Sequence, residues 1–450
     1  MEFVHRRRRG AELFLLVLSL LVGLGAYAAV GLGVDGTVPA DMIGYGGWLT
    51  VLVIAAHVTI RLRAAYADPI ILPIVSALNG LGLAMIYRIH LARPDSTPPA
   101  RTQLLWMTIG VGLFVAVLVA LRDHRRLQAF TYTAGLSSIV LLLLPLVPGI
   151  GREIHGARIW IHLGPMSFQP GEIAKVLLVI AFAGYLVLHR DALALAGRRV
   201  LFVDLPRGRD LGPILAMWLV SLAILVFQND LGSSLLFFGI FLVMLYVATE
   251  RPGWLVVGGG LFLAGAYLSY LFVGHVSERV DVWLDPFHQD KGYQIVQGMY
   301  GMAWGGLTGR GLGQGSPQLT PFGYSDFIAS SIGEELGLTG LMAVVVLYGI
   351  LVERGLRTSL ICRDNFGKLV AAGLAVVFAL QVFVVIGGVT KLIPLTGLTT
   401  PFLSYGGSSL VANWVIVALL LRVSDHARRP PPELTADAED LDATQVVRLR

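Results

Sequence analysis

Long apolar runs with short polar interruptions dominate this chain. A helix that crosses a bilayer needs about 20 apolar residues. Runs at 11–34, 44–61, 69–87, 103–121, 130–148, 172–189, 212–228, 233–249, 253–273, 332–352, 368–390 and 405–422 approach or meet that length, and predict about twelve membrane helices. The weakest division is between 212–228 and 233–249, where only QNDLG intervenes. One interval departs from the pattern. Residues 274–331 form a long polar loop between the ninth and tenth helices, with Arg279, Asp281, Asp285, Asp290, Lys291 and Asp326 among scattered aromatics such as Trp283, Tyr293 and Trp304. A loop of that length inside a compact fold tends to carry function, and its aromatic content is not that of a disordered linker.

Composition fixes the class. The chain is 55% hydrophobic and 14% charged, with a mean hydropathy of +0.73, whereas soluble domains carry about 25% charged residues. This is an all-α, polytopic membrane protein. The first apolar run follows Arg6–Arg9 and is long enough to span, so it reads as an uncleaved anchor rather than a signal peptide. With the N-terminus placed inside, the inner segments collect most of the 34 Lys and Arg. By the positive-inside rule both termini are then cytoplasmic, and the 274–331 loop lies outside with the segments near Trp160 and Pro394. The Pro-rich, acidic stretch at 425–450 reads as a disordered cytoplasmic tail. A single cysteine, Cys362, excludes a disulfide within the chain. The ten histidines form no HxxxH pair and there is no CxxC, which argues against a transition-metal cage. The glycine-rich GGLTGRGLGQG lacks the Lys-Ser/Thr ending of a phosphate loop and has no preceding strand. No nucleotide or nucleic-acid partner is expected.

Candidate chemistry lies mainly at the outer ends of the spans. Glu172 and Lys175 are three apart, so they share a helix face. They are either a self-satisfying ion pair or the wall of an outward cavity. Arg158 is placed to meet phosphate, and Trp160 to stack on a sugar or anchor at the headgroups. Asp230 either caps the eighth span or faces a cavity. The Arg279–Lys291 charges offer a carboxylate base and cations for a diphosphate, or are simply a solvated loop. Glu334 and Glu335 are adjacent acids expected within an apolar helix, where ionisable groups are costly. From Lys391, KLIPLTGLTTPFLSYGGSS implies broken backbone at membrane depth, tolerated only beside protein or a wet cavity.

Five stretches together resemble the SEDS family (shape, elongation, division and sporulation): GARIWIHLGPMSFQPGEIAK, QNDLGSS, GYQIVQ with GGLTGRGLGQG, SDFIASSIGEELGLTG and IPLTGLTTPFLSYGGSS. The resemblance extends over about 69–424 and is closest to RodA-type members. It implies a ten-helix core there, with residues 1–68 an additional N-terminal pair. It also implies a peptidoglycan glycosyltransferase that polymerises lipid II outside the bacterial cytoplasmic membrane, by an inverting reaction. A class B penicillin-binding protein is the implied transpeptidase partner, and Mg²⁺ or Mn²⁺ the implied cofactor. The family's essential aspartate precedes the GYQ by a few residues. Here WLDPFHQDKGYQ is about two residues shorter than the common pattern, so the catalytic candidates are Asp290, nearest the family position, and Asp285 of the earlier DP. Gly171 stands in QPGE and Ser325 in YSDF where the family has Ser and Thr. Substrate-binding positions implied are Arg158, Trp160, Glu172, Lys175, Asp230, Arg279, Gln294, Asp326, Glu334 and Ser404. Two other readings are a lipid II flippase, its path lined by Glu172, Lys175, Glu334 and Glu335, and a non-catalytic scaffold for the cell-wall machinery.

Overall fold

A computed structural model describes residues 7–95, 100–154, 156–163, 166–190, 198–200, 203–205 and 208–430. The expected tail beyond 430, and Arg6, lie outside the described residues. In chain order the helices are α1 (Arg9–Asp35), α2 (Met42–Arg63), α3 (Ile71–Ala92), α4 (Ala100–Ala120), α5 (Thr131–Leu143), α6 (Gly171–Leu188), α7 (Gly208–Phe227), α8 (Leu231–Thr249), α9 (Gly253–Phe272), α10 (Gly274–Leu284), α11 (Tyr293–Gly305), α12 (Ile328–Glu335), α13 (Gly337–Ile361), α14 (Asn365–Val389) and α15 (Gly407–Arg428). Among the described residues eleven helical segments are long and apolar enough to cross a membrane, and Gly212–Phe227 is a shorter apolar one. The protein is a multi-pass, all-α membrane protein. The QNDLG interval does divide two helices, because Asn229 takes a left-handed φ of 60°.

Helices α3, α14 and α15 run through the middle and bury most of their length. The periphery is apolar towards lipid: α9 buries only Trp254 and Gly258. The N-terminal pair is firmly docked. Gly23 of α1 and Gly80 of α3 meet backbone to backbone, since a Cβ on Gly23 would lie 2.8 Å from the Gly80 Cα. Small residues permit such close crossings in membranes. Near the start of α1, Arg9 pairs with buried Glu12 and donates Nε–H to the Ala65 carbonyl at 3.1 Å. Glu12 in turn meets His57 of α2 at 2.7 Å.

Three local features depart from the sequence reading. The 274–331 loop is largely ordered helix, holding α10, α11 and α12 with two single-turn 3₁₀ segments. The tenth span begins at Gly337 rather than near 332. Gly337 has φ +69° and sits against the Gly309 amide, so the helix ends after Glu335 and restarts. Glu334 and Glu335 therefore close α12 and are not inside the span. Finally, the approach to α6 is a small antiparallel sheet, with β1 (Gly151–Ile154) on β2 (Ala157–Leu163) and β2 on β3 (Met166–Phe168). A short hairpin, β4 (Arg198–Val200) with β5 (Val203–Leu205), follows α6. The break after α14 is as expected: no helix lies between Thr390 and Gly406, and Lys391, Gly397 and Phe402 all have positive φ.

Candidate active site at the loop-bearing helix ends

The Gln228–Asp230 break gathers the β1–β2 turn. Asp230 caps α8, its Oδ1 accepting from the Ser233 amide at 2.9 Å. Asn229 donates Nδ2–H to the Gly156 carbonyl at 3.1 Å, and the Arg158 amide donates to the Gln228 carbonyl at 3.2 Å. Arg158 thus contributes through its backbone. Its guanidinium is exposed and pairs with Glu153 at 2.9 Å. Trp160 is half-buried in β2, opposite Arg152.

Arg279 of α10 is the hub. Its Nη1 donates to the carbonyls of Thr396 at 3.1 Å and Leu395 at 3.3 Å, in the broken segment. Asp230 and Asp326 both exert their charge on it. Burial lowers the Arg279 pKa, and the two carboxylates oppose that shift. Burial also raises Asp230, and pushes the half-buried Asp326 up to about 6, with Arg279 pulling both back. Asp326 Oδ2 lies against Gly397, 3.7 Å from where a Cβ would sit. Ser404 fixes this register by donating to the Ser325 carbonyl at 2.6 Å and accepting from the Thr400 amide at 2.8 Å. Gln103 of α4 supports it from behind, donating to the Ser404 carbonyl at 3.0 Å and accepting from the Gly406 amide at 3.3 Å.

Deeper in the bundle, Glu172 and Lys175 form a buried ion pair. Lys175 Nζ also donates to Gln381 Oε1 at 3.1 Å, and Gln381 Nε2 donates to the Thr399 carbonyl at 2.8 Å. This polar chain links α6 through α14 to the broken segment. Gln381 and Gln103 escaped the sequence reading. The available signal was a lone amide in an otherwise apolar helix, which must find a partner to be buried.

The remaining positions lie apart. Asp285 is the exposed C-cap of α10. His288 Nδ1 at 2.8 Å holds its carboxyl below the ordinary carboxylate value. Asp290 opens a 3₁₀ turn (Asp290–Gly292), exposed and without a side-chain partner among the described residues. Gly292 packs against the Pro286 carbonyl, where no Cβ fits, so the shortened DKGYQ stretch closes tightly. Gln294 is half-buried in the first turn of α11. Lys291 pairs with Glu278 at 2.7 Å, and Trp283 Nε1 donates to the Lys391 carbonyl at 3.0 Å. Glu334 accepts from the Ser316 amide at 2.6 Å and lines a separate cavity of about 320 Å³ with Tyr300, Trp304 and Arg310. Its neighbour Glu335 meets buried Arg88 of α3 at 2.7 Å and accepts from the Gly313 amide at 3.0 Å.

Residues 69–429 match the family model for cell cycle proteins of the FtsW/RodA/SpoVE type. A peptidoglycan glycosyltransferase RodA of Mycobacterium tuberculosis is 48% identical over 430 residues, covering 94% of this chain and 92% of its own. A probable peptidoglycan glycosyltransferase FtsW of Geobacter metallireducens is 33% identical, covering 81% and 96%. Among solved structures, a chain of a peptidoglycan synthase complex matches with a TM-score of 0.64 at 30% identity, over 80% of this chain and 98% of that one. The rod shape determining protein RodA of Thermus thermophilus matches with a TM-score of 0.57 at 27% identity, over 80% and 96%. The chain belongs to the FtsW/RodA/SpoVE family and is a RodA-like member of it.

Proposed function

We propose that this protein is a peptidoglycan glycosyltransferase that polymerises lipid II at the outer face of the bacterial cytoplasmic membrane, with both termini in the cytoplasm. The observation that supports this reading is Arg279, which donates to the Leu395 and Thr396 carbonyls of the broken segment and feels the charges of Asp230 and Asp326. The curated relatives named for this activity support the chemistry.

In this reading Asp290 accepts the proton of the acceptor sugar 4-hydroxyl as that oxygen attacks the donor anomeric carbon, with inversion. A positioned general base contributes about 10²–10⁴-fold. Asp290 suits the role because it is exposed and has no side-chain partner among the described residues, whereas Asp285 already faces His288. Arg279 neutralises charge developing on the leaving diphosphate. Lys175 is held by Glu172 and Gln381, so it braces the broken segment through Gln381 and the Thr399 carbonyl. In this reading Arg158, Trp160 and Gln294 contact the incoming disaccharide. Glu334 lines the separate cavity and Ser404 positions the Asp326 segment.

A divalent cation fits this face only in one manner. Among the described residues no three His, Cys, Asp or Glu donors converge there. A Mg²⁺-type ion needs only one or two carboxylates besides substrate phosphates, and Asp290 and Asp285 offer exposed oxygens. When bound, such an ion supplies positive charge to the diphosphate.

The partner in this reading is a class B penicillin-binding protein. A structural relative comes from a peptidoglycan synthase complex that coordinates polymerisation and crosslinking. The test uses full-length protein in detergent with that partner, lipid II and Mg²⁺. Glycan ladders on a gel support the enzyme. Transfer of labelled lipid II across vesicles without polymer supports a flippase instead, and neither result leaves a scaffold.

A further inference from the structure

The far end of the bundle holds a second cluster. His124 follows α4, Cys362 ends α13, Asp364 begins α14, and His426 lies in the last turn of α15. Helix α14 has 25 residues, so this cluster stands roughly 37 Å from the broken segment at its other end. We propose that His124 Nε2, Cys362 Sγ and Asp364 Oδ2 form a binding site for a Zn²⁺-class transition metal, separate from any cation of the reaction.

The geometry is that of a ligand set. Asp364 Oδ2 lies 3.0 Å from His124 Nε2 and 3.3 Å from Cys362 Sγ. All three atoms fall within 4.8 Å of one another. Tetrahedral zinc ligands at about 2.0–2.3 Å from the ion are roughly 3.3–3.7 Å apart, so a few tenths of an ångström of expansion admits the metal. The second carboxylate oxygen is already fixed, Oδ1 accepting from the Gly367 amide at 2.6 Å as the α14 cap. That bond orients Oδ2 inward, as outer-shell bonds do in metal sites. Gly367 keeps the space open: a Cβ there would crowd His124 Nε2, sit 2.7 Å from Cys362 Sγ and 2.9 Å from Asp364 Oδ2.

His124 supplies an independent sign. Its side chain is 1% exposed, yet Nδ1 has no hydrogen-bond partner. Asp123 Oδ1 lies 3.8 Å away, close enough to take up an Nδ1 proton once Nε2 is committed to a metal. The His426 ring packs edge-on to His124 at 5.1 Å. Cys362 is only half-buried, which leaves an entry path. The donor set of one sulfur, one nitrogen and one oxygen suits zinc or cobalt rather than magnesium or calcium. On binding, Cys362 releases its thiol proton to solvent and the thiolate bonds to the metal. Three ligands leave a fourth position for water. The metal then ties the α4–α5 turn to the α13–α14 turn.

The test loads purified full-length protein in detergent with Zn²⁺ or Co²⁺ and removes excess ion. We expect about one Zn²⁺ per chain, a thiolate-to-cobalt absorption band, and a higher Tm with Zn²⁺. Cys362→Ser preserves size and the Asp364 hydrogen bond, and should abolish the band and weaken Zn²⁺ binding by about 100-fold. His124→Gln should do likewise. Equal Zn²⁺ retention and an equal Tm shift in Cys362→Ser, or Co²⁺ binding without a sulfur band, would overturn the site.

Discussion

Arg279 on α10 donates to the Thr396 carbonyl at 3.1 Å, across 117 residues of chain. That bond joins the helical 274–331 loop to a backbone break that no helix satisfies. A broken segment at membrane depth leaves carbonyls without partners, and Arg279 supplies donors while holding Asp230 and Asp326 in charge balance. Arg279→Ala removes both functions. Polymerisation should fall by about 10²-fold or more, and Tm should fall with it. Arg279→Lys should restore part of the stability but little activity, because one ammonium cannot reproduce the planar fork. A gel assay beside thermal unfolding separates the two effects.

Asp290 and Asp285 differ in what holds them. Asp290 has no side-chain partner among the described residues and is exposed, so Asp290→Ala should leave Tm unchanged while polymerisation drops by about 10²–10⁴-fold. Asp285→Ala loses the His288 contact at an exposed turn and should retain most activity. The reverse outcome would move the general base to Asp285.

Asp326 predicts a pH slope in stability. Its carboxyl is raised from an ordinary value of 3.8 to about 6. Between those values the folded protein binds more protons than the unfolded chain, so this group's contribution weakens as pH rises from about 4 to about 6. Above that window it is flat. Asp326→Asn should remove that component, which Tm measured from pH 4 to 7.5 would reveal as a shallower fall.

The Glu172–Lys175 pair should behave as a buried unit. Glu172→Gln leaves Lys175 with Gln381 alone and should cost about 3 kcal/mol, because an uncompensated buried charge remains. The double variant Glu172→Gln with Lys175→Met should be more stable than Glu172→Gln. Additive losses in thermal unfolding would show that the pair is not coupled.

Arg88 and Glu335 anchor the glycine-rich turn to α3. Glu335→Ala strands a buried guanidinium and frees the Gly313 amide. We expect a lower Tm and faster proteolysis within 309–316, with Arg88→Met in the same chain recovering part of the loss.

Much of the architecture is written in local order. Span positions follow from apolar run length, because a bilayer accepts only segments that satisfy their own backbone. The 391–406 break was legible for the same reason, from its prolines and glycines. The family motifs marked the 274–331 loop as the candidate for the chemistry. Tertiary structure decided what the charges do. Asp230 serves as a cap and also faces Arg279, two readings that the sequence left opposed. Glu334 and Glu335 leave the span because Gly337 needs a left-handed turn against Gly309. The links from Lys175 to Gln381, from Arg279 to Thr396, and from His124 to Cys362 and Asp364 join residues far apart in the chain. Their partners are fixed by how helices pack side by side, and periodicity along one helix carries no record of the neighbour it meets.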